Sequence, residues 1–186
     1  MTMIGLAQRP FYFLRHGQTD FNAQGLSQGA IDISLNAMGR AQAAAAAPIL
    51  AERGIVGIAT SPMKRAHETA CIINETLNLP MMVEPDLREV IFGGQEGKPL
   101  ASWFTDWLDG IATPEGAESF EALTRRAATA MARVLAHPGP LLIVSHGAFF
   151  RAVRALMRLE LNVISGNARP LHCAPVGQIW QVTPLD

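Results

Sequence analysis

Residues 11–17 read Phe-Tyr-Phe-Leu-Arg-His-Gly, and residues 141–147 read Leu-Leu-Ile-Val-Ser-His-Gly. Each is an apolar run without polar alternation that leads into a His-Gly pair. A strand with one wet face alternates apolar and polar residues, whereas a strand covered on both faces does not. The two runs therefore predict buried strands over Pro10–Arg15 and Leu141–Ser145, in the middle of a sheet. Working outward, the Ala-rich stretch from about Asn36 to Arg53 is strongly helix-forming, with Gly54 as its stop. Ile55–Thr60 predicts another strand, and Ser61-Pro62 an N-cap with proline at the first position of a helix running through about Leu77. Met81–Glu84 predicts a short strand. Ser119 caps a helix to about His137, with Phe120, Leu123, Ala127, Met131 and Val134 at helical spacing on its buried face. Ala148–Arg158 is helical, and a last strand falls near Gln178–Val182. Residues 18–35 and Pro85–Pro99 read as irregular, and Thr113-Pro114-Glu115-Gly116 as a turn. Strands alternating with helices predict an α/β fold of three layers, α/β/α, with a mostly parallel central sheet.

The chain of 186 residues suits a single domain, and its 49% apolar and 17% charged residues are globular composition. A net charge of −1 argues against a general affinity for nucleic acid or an acidic membrane surface, both of which need concentrated Lys and Arg. Cys71 and Cys173 are far apart and lack a C-x-x-C or His-spaced partner, so they predict buried free thiols in a reducing cytoplasm rather than a disulfide or zinc site. Gln8, Arg9 and Pro10 interrupt the apolar N-terminal residues, well short of the roughly 20 of a membrane span, so neither a span nor an export signal is expected there. The expected location is the cytoplasm. The oligomeric state stays open, a homodimer included.

Three predicted strands end in, or lead straight to, cationic or potentially cationic residues: Arg15-His16-Gly17, Ser61 to Arg65, and Ser145-His146-Gly147. In open α/β sheets, ligands bind beyond the carboxyl ends of the strands, so these groups should converge. Two arginines and two histidines in one crevice make an oxyanion pocket.

These segments resemble those of the histidine phosphatase superfamily, which includes cofactor-dependent phosphoglycerate mutases and many small phosphatases. Leu14-Arg15-His16-Gly17-Gln18-Thr19, with Asn22 shortly after, resembles the family's Arg-His-Gly box. Thr60 to Ala70 is similar to the second box, whose arginine is Arg65. Leu87-Arg88-Glu89 with Gly93 and Glu96-Gly97 is similar to the segment carrying the acid, and Val144-Ser145-His146-Gly147 to that carrying the second histidine. Pro114 to Ser119 resembles a family turn with one extra residue. The resemblance implies a single domain over residues 1–186, with a small cap segment around 93–118. It also implies a metal-independent phosphoric monoester hydrolase of the histidine acid phosphatase type.

In that scheme His16 is the nucleophile and needs a neutral ring whose other nitrogen donates to a backbone carbonyl. Arg15, Arg65, His146 and backbone N–H groups near Gly147 match the charge on the phosphoryl oxygens. Glu89 gives a proton to the leaving group and later takes one from water. The substrate is a small phosphorylated metabolite. No cofactor is expected, and no carboxylate cluster suited to magnesium is evident. Other readings stand beside these. Glu89 could pair with Arg88 at the surface, and Thr19 and Asn22 could be loop caps rather than phosphate ligands. Trp103, Phe104 and Trp107 could stack on a substrate ring, although filling a core beneath the cap is the better reading. Arg169 could reach the pocket mouth, while nothing in the sequence gives His67, His137 or His172 a role there. A mutase uses the same residues but returns the phosphoryl group to a hydroxyl. Mutases of the family carry a longer insertion between acid and second histidine, whereas here 56 residues separate Glu89 from His146. A catalytically idle scaffold would be expected to lack one of these groups, and none is missing.

Overall fold

A computed structural model of the chain describes residues 6–186. Met1–Gly5, the start of the stretch read above as neither export signal nor membrane span, lie outside the described residues. The strands are β1 (Phe11–Arg15), β2 (Gly57–Thr60), β3 (Met81–Val83), β4 (Leu141–Ser145), β5 (Leu171–Val176) and β6 (Ile179–Pro184). The helices are α1 (Asp20–Ala23), α2 (Ala37–Ala51), α3 (Lys64–Leu77), α4 (Ser102–Leu108), α5 (Phe120–Ala136) and α6 (Gly147–Leu156).

The strands form one sheet in the order β3-β2-β4-β1-β5-β6. The first four run parallel, whereas β5 is antiparallel to β1 and β6 to β5. Successive side chains of β1 enter two different cores. Phe11 and Phe13 join Ile143, Met131 and Phe149 on the α5–α6 side, while Tyr12 and Leu14 join Leu142, Val144, Ala46 and Ile73 on the α2–α3 side. This two-sided burial is why the strand carries no polar alternation. It makes the architecture the expected three-layer α/β/α sandwich.

Several local expectations are corrected. Helix α3 begins at Lys64 rather than at Ser61-Pro62, and its N-cap, Met63, makes no side-chain cap bond. The Ser61 hydroxyl does accept the Met63 N–H, at 3.2 Å, but it also bonds the His146 ring, so it serves the end of the sheet rather than a helix start. Residues 18–35 are not wholly loop, because Thr19 and Asn22 form a reciprocal capping box on the single turn of α1. The C-terminal region holds two strands, β5 and β6, joined at Gly177, whose φ of +63° suits glycine in a tight turn. The predicted strand near Gln178–Val182 is β6, while Pro175, near the end of β5, disguises that strand as a broken segment. The Pro85–Pro99 stretch contains two short 3₁₀ turns, at Pro85–Leu87 and Gly93–Gln95. Cys173 is a buried free thiol as expected, while Cys71, also free, is only partly buried.

Candidate active site

The parallel register sets the site. Arg15 on β1 is paired with Ser145 on β4, so the next residues, His16 and His146, emerge side by side with ring centroids 5.3 Å apart. On the other flank of β4, Thr60 pairs with Val144, which brings Ser61 beside His146, its Oγ 2.8 Å from Nε2. His16 Nδ1 lies 2.7 Å from the Gly17 carbonyl. A carbonyl can only accept, so Nδ1 carries the proton and Nε2 keeps its lone pair. Burial, then the Arg65 and Arg15 charges, hold the His16 pKa well below its ordinary value, against a smaller opposing effect of the Gly17 bond. The same burial and cations, with His16 itself, depress His146. Both rings are therefore neutral near pH 7. An imidazole that accepts the Ser61 hydroxyl proton at Nε2 carries its own on Nδ1, which has no partner among the described residues.

Both arginines are fixed by backbone. Arg15 donates to the Ser165 carbonyl at 2.9 Å, and Arg65 to those of Ile31 and Gly29, each at 2.9 Å. Neither enters an ion pair with a described residue, and the Nε of each is buried without a partner. Burial pushes the Arg65 pKa down to about 10, against the opposing charges of Glu89, Asp32 and Glu96. Arg15 is lowered for the same first reason. Both stay charged at neutral pH.

Glu89 does not pair with Arg88, which binds Asp86 instead. Its carboxyl oxygens accept the N–H groups of Val90 (3.1 Å), Ala148 (3.1 Å) and Phe149 (2.9 Å), so it sits on the first turn of α6. The arrangement thus joins two neutral histidines, two guanidinium groups without an ion-pair partner among the described residues, and an oriented carboxyl group. Gly147 faces Arg15, since a Cβ there would lie 3.5 Å from Arg15 Nε.

The outer contacts divide the remaining expectations. The Thr19 hydroxyl is engaged by the α1 cap and by Gln28 at 2.9 Å. Asn22 Oδ1 accepts from the Thr19 N–H and from Asn167 Nδ2, each at 3.2 Å. Thr19 and Asn22 therefore act as caps here, with Asn22 turned toward the segment that clamps His16. Asn167 also donates to the His16 carbonyl at 3.0 Å, and the Ala168 N–H to that of Arg15 at 2.9 Å. Arg169 points away, toward Asp186 at 3.6 Å. Trp103, Phe104 and Trp107 pack with Phe92 in edge-on and tilted contacts, and Trp107 is fully buried, so they fill a core. Arg126, absent from the sequence reading, is held by both Glu118 oxygens (2.9 and 2.6 Å) and donates to the carbonyls of Asp86, Arg88 and Glu89, which anchors the acid segment. Among the described residues no group of three or more His, Cys, Asp or Glu side chains is disposed to hold a metal ion, and no helix is long and apolar enough to cross a membrane.

The model of the histidine phosphatase superfamily (branch 1) matches residues 11–175. An uncharacterized phosphatase, PhoE, of Bacillus subtilis is 41% identical over 142 residues, which cover 75% of this chain and 72% of that protein. A glucosyl-3-phosphoglycerate phosphatase of Mycobacterium tuberculosis is 32% identical over 173 residues, covering 83% of this chain and 77% of the relative. Against a bifunctional protein of Mycobacterium tuberculosis, 36% identical over 170 residues, the chain spans 46% of the relative's length. The solved structure of a mycobacterial glucosyl-3-phosphoglycerate phosphatase in complex with VO3 superposes with a TM-score of 0.80 at 29% identity, covering 94% of this chain and 97% of that one. With the family model running from β1 into β5, and phosphatases matched over most of their length, the chain belongs to the histidine phosphatase superfamily.

Proposed function

We propose that this chain hydrolyses the phosphomonoester of a small metabolite through a phosphohistidine at His16. The observation that carries the reading is the neutral His16 ring, its Nδ1–H held by the Gly17 carbonyl, beside the guanidinium groups of Arg15 and Arg65, neither of which has an ion-pair partner among the described residues. In the first step Nε2 forms a bond to phosphorus, the ester P–O bond breaks, and Glu89 gives its proton to the departing oxygen. In the second step Glu89 takes a proton from water, the water oxygen bonds phosphorus, and the Nε2–P bond breaks to release inorganic phosphate. Arg15, Arg65 and the His146 Nδ1–H stabilise the phosphoryl oxygens throughout. A cavity of about 310 Å³ opens beside Glu89, lined also by Ala30, Asp32, Pro62, Met63, Arg88 and Ile91. The mycobacterial relative named for glucosyl-3-phosphoglycerate supports a phosphorylated organic acid as the first substrate class to try.

The test is to quench a turnover with labelled substrate into alkali, which preserves phosphohistidine, and to look for protein-bound label that acid removes. The native chain should carry it transiently and His16→Ala should not. Label on the His16→Ala protein, or steady-state hydrolysis without any bound label in the native chain, would overturn the covalent route. Activity should also survive EDTA, since the arginines supply the charge; strict dependence on an added divalent metal would count against this assignment.

A further inference from the structure

Four buried side-chain polar atoms lack a hydrogen-bond partner among the described residues: Arg15 Nε, Arg65 Nε, His146 Nδ1 and Arg151 Nε. The first three belong to the phosphate chemistry above, and the fourth is unused by it. Arg151 follows Gly147 by four residues on α6, which returns it to the same helix face about 6 Å further along the axis. That face is the one turned to Arg15, as the Gly147 contact establishes. On its other side the Arg151 guanidinium stands over the Phe104 ring of α4, 5.0 Å from the centroid. The group thus lies one helical turn beyond the phosphate cations, against an aromatic wall. The electrostatics agree, since Glu89 opposes the lowering of the Arg151 pKa by burial, and Arg151 in turn lowers that of Arg15.

The described residues satisfy this cation only in part. It forms no ion pair with a described residue, and its one hydrogen bond is a long 3.4 Å contact to the Gly147 carbonyl of its own helix. The Glu89 oxygens accept three backbone N–H groups and form no ion pair with Arg151. A partly desolvated guanidinium with unspent donors is costly unless a ligand completes it. Stacking on an aromatic face holds its plane while leaving the N–H edge available for a bidentate partner. The phosphate position offers two arginines and a histidine, enough for a dianion, whereas this second position offers a single charge.

The geometry points to Arg151 as a specificity residue that binds a carboxylate on the leaving group, on the carbon skeleton next to the phosphoester. This rests on the phosphatase reading for its meaning, but its test does not need turnover. In the His16→Ala background, calorimetry compares 3-phosphoglycerate with glycerol 3-phosphate, which differ in a carboxylate against a hydroxymethyl group. The acid should bind about 10- to 100-fold more tightly. Adding Arg151→Gln should remove that preference, leaving glycerol 3-phosphate within about twofold, and Arg151→Lys should restore part of it. Equal binding of the two esters before any change at Arg151 overturns the inference, as does an equal loss for both in Arg151→Gln. In the chain with His16 intact, the same substitution should raise KM for the acid. A matched fall of kcat on both esters with a moved pH profile would mean that Arg151 acts through Glu89, and would also overturn it. If the phosphatase reading alone is wrong, the binding preference persists while the native chain releases no phosphate.

Discussion

His16 and His146 are held neutral by burial and by the arginines around them, and that single electrostatic fact has two consequences at the residue scale. First, His16, the proposed nucleophile, needs no deprotonation at neutral pH, so removing it should remove chemistry rather than fold. His16→Ala should lower turnover by roughly 10⁴-fold or more while circular dichroism and the unfolding midpoint stay close to native; retention of more than about a tenth of native activity would take His16 out of the mechanism. Second, the depressed values make folding pH-dependent. Between the folded value and the unfolded value of about 6.5 the unfolded chain binds more protons, so stability is full above about pH 6.5 and falls as pH drops below it. Each histidine contributes a slope of up to about 1.4 kcal/mol per pH unit in that window. Urea titrations between pH 7 and 5 should show a shallower loss in His16→Ala than in the native chain; identical slopes would mean that His16 does not resist protonation. The principal groups of the site are legible in the sequence because Arg15, His16 and His146 flank predicted strand ends and Arg65 follows another on the first turn of α3. Ser61 and Asn167 are not, because their partners lie 85 and 151 residues away, and a lone Ser or Asn carries no local sign of such a contact.

At the scale of elements, the turn that follows His16 is held by the start of α2. A Cβ on Gly39 would fall 2.1 Å from the Gln18 carbonyl, and one on Gly17 would fall 2.3 Å from the Gly39 carbonyl, so two glycines let helix and turn touch. Helix propensity alone says that alanine in place of Gly39 stabilises α2 by about 1 kcal/mol. The close approach reverses the sign: Gly39→Ala should lower stability by more than about 1 kcal/mol in denaturant titration and reduce turnover, and a stabilised variant would refute the contact. The acid segment depends in the same way on Arg126, whose guanidinium joins Glu118 to three carbonyls around Glu89. Arg126→Ala leaves the Glu118 carboxylate unpaired in a largely buried place, so a loss of roughly 3–5 kcal/mol is expected in the same titration. Elements with an unmixed pattern, β1, β4 and α5, were readable to within a residue or two. Those shaped by an outside partner were not. The expected cap of α3, Ser61, bonds His146 instead, α1 exists through a capping box across one turn, and β5 carries a proline that mimics a break.

At the scale of the whole molecule, the decisive quantity is how well the chain shields a phosphorylated His16 from water. A mutase has to keep that intermediate until a second hydroxyl arrives, which calls for a cap that closes and excludes solvent. Here 56 residues separate Glu89 from His146, and α5 and β4 account for much of that length as core elements beneath the site. What remains between Gly93 and Ser119 is one 3₁₀ turn and the short helix α4, whose aromatic side chains are turned inward onto Phe92 and Phe120. Little chain is left to form a closing lid, so water should reach the phosphohistidine and Glu89 should be free to activate it. Supplied with 3-phosphoglycerate, with or without 2,3-bisphosphoglycerate, the protein should release inorganic phosphate much faster than it forms 2-phosphoglycerate, and the resting protein should hold little phosphoenzyme. Exchange of the phosphoryl group between the glycerate hydroxyls well above the rate of phosphate release, together with a long-lived phosphoenzyme, would mean that a short cap can exclude water after all.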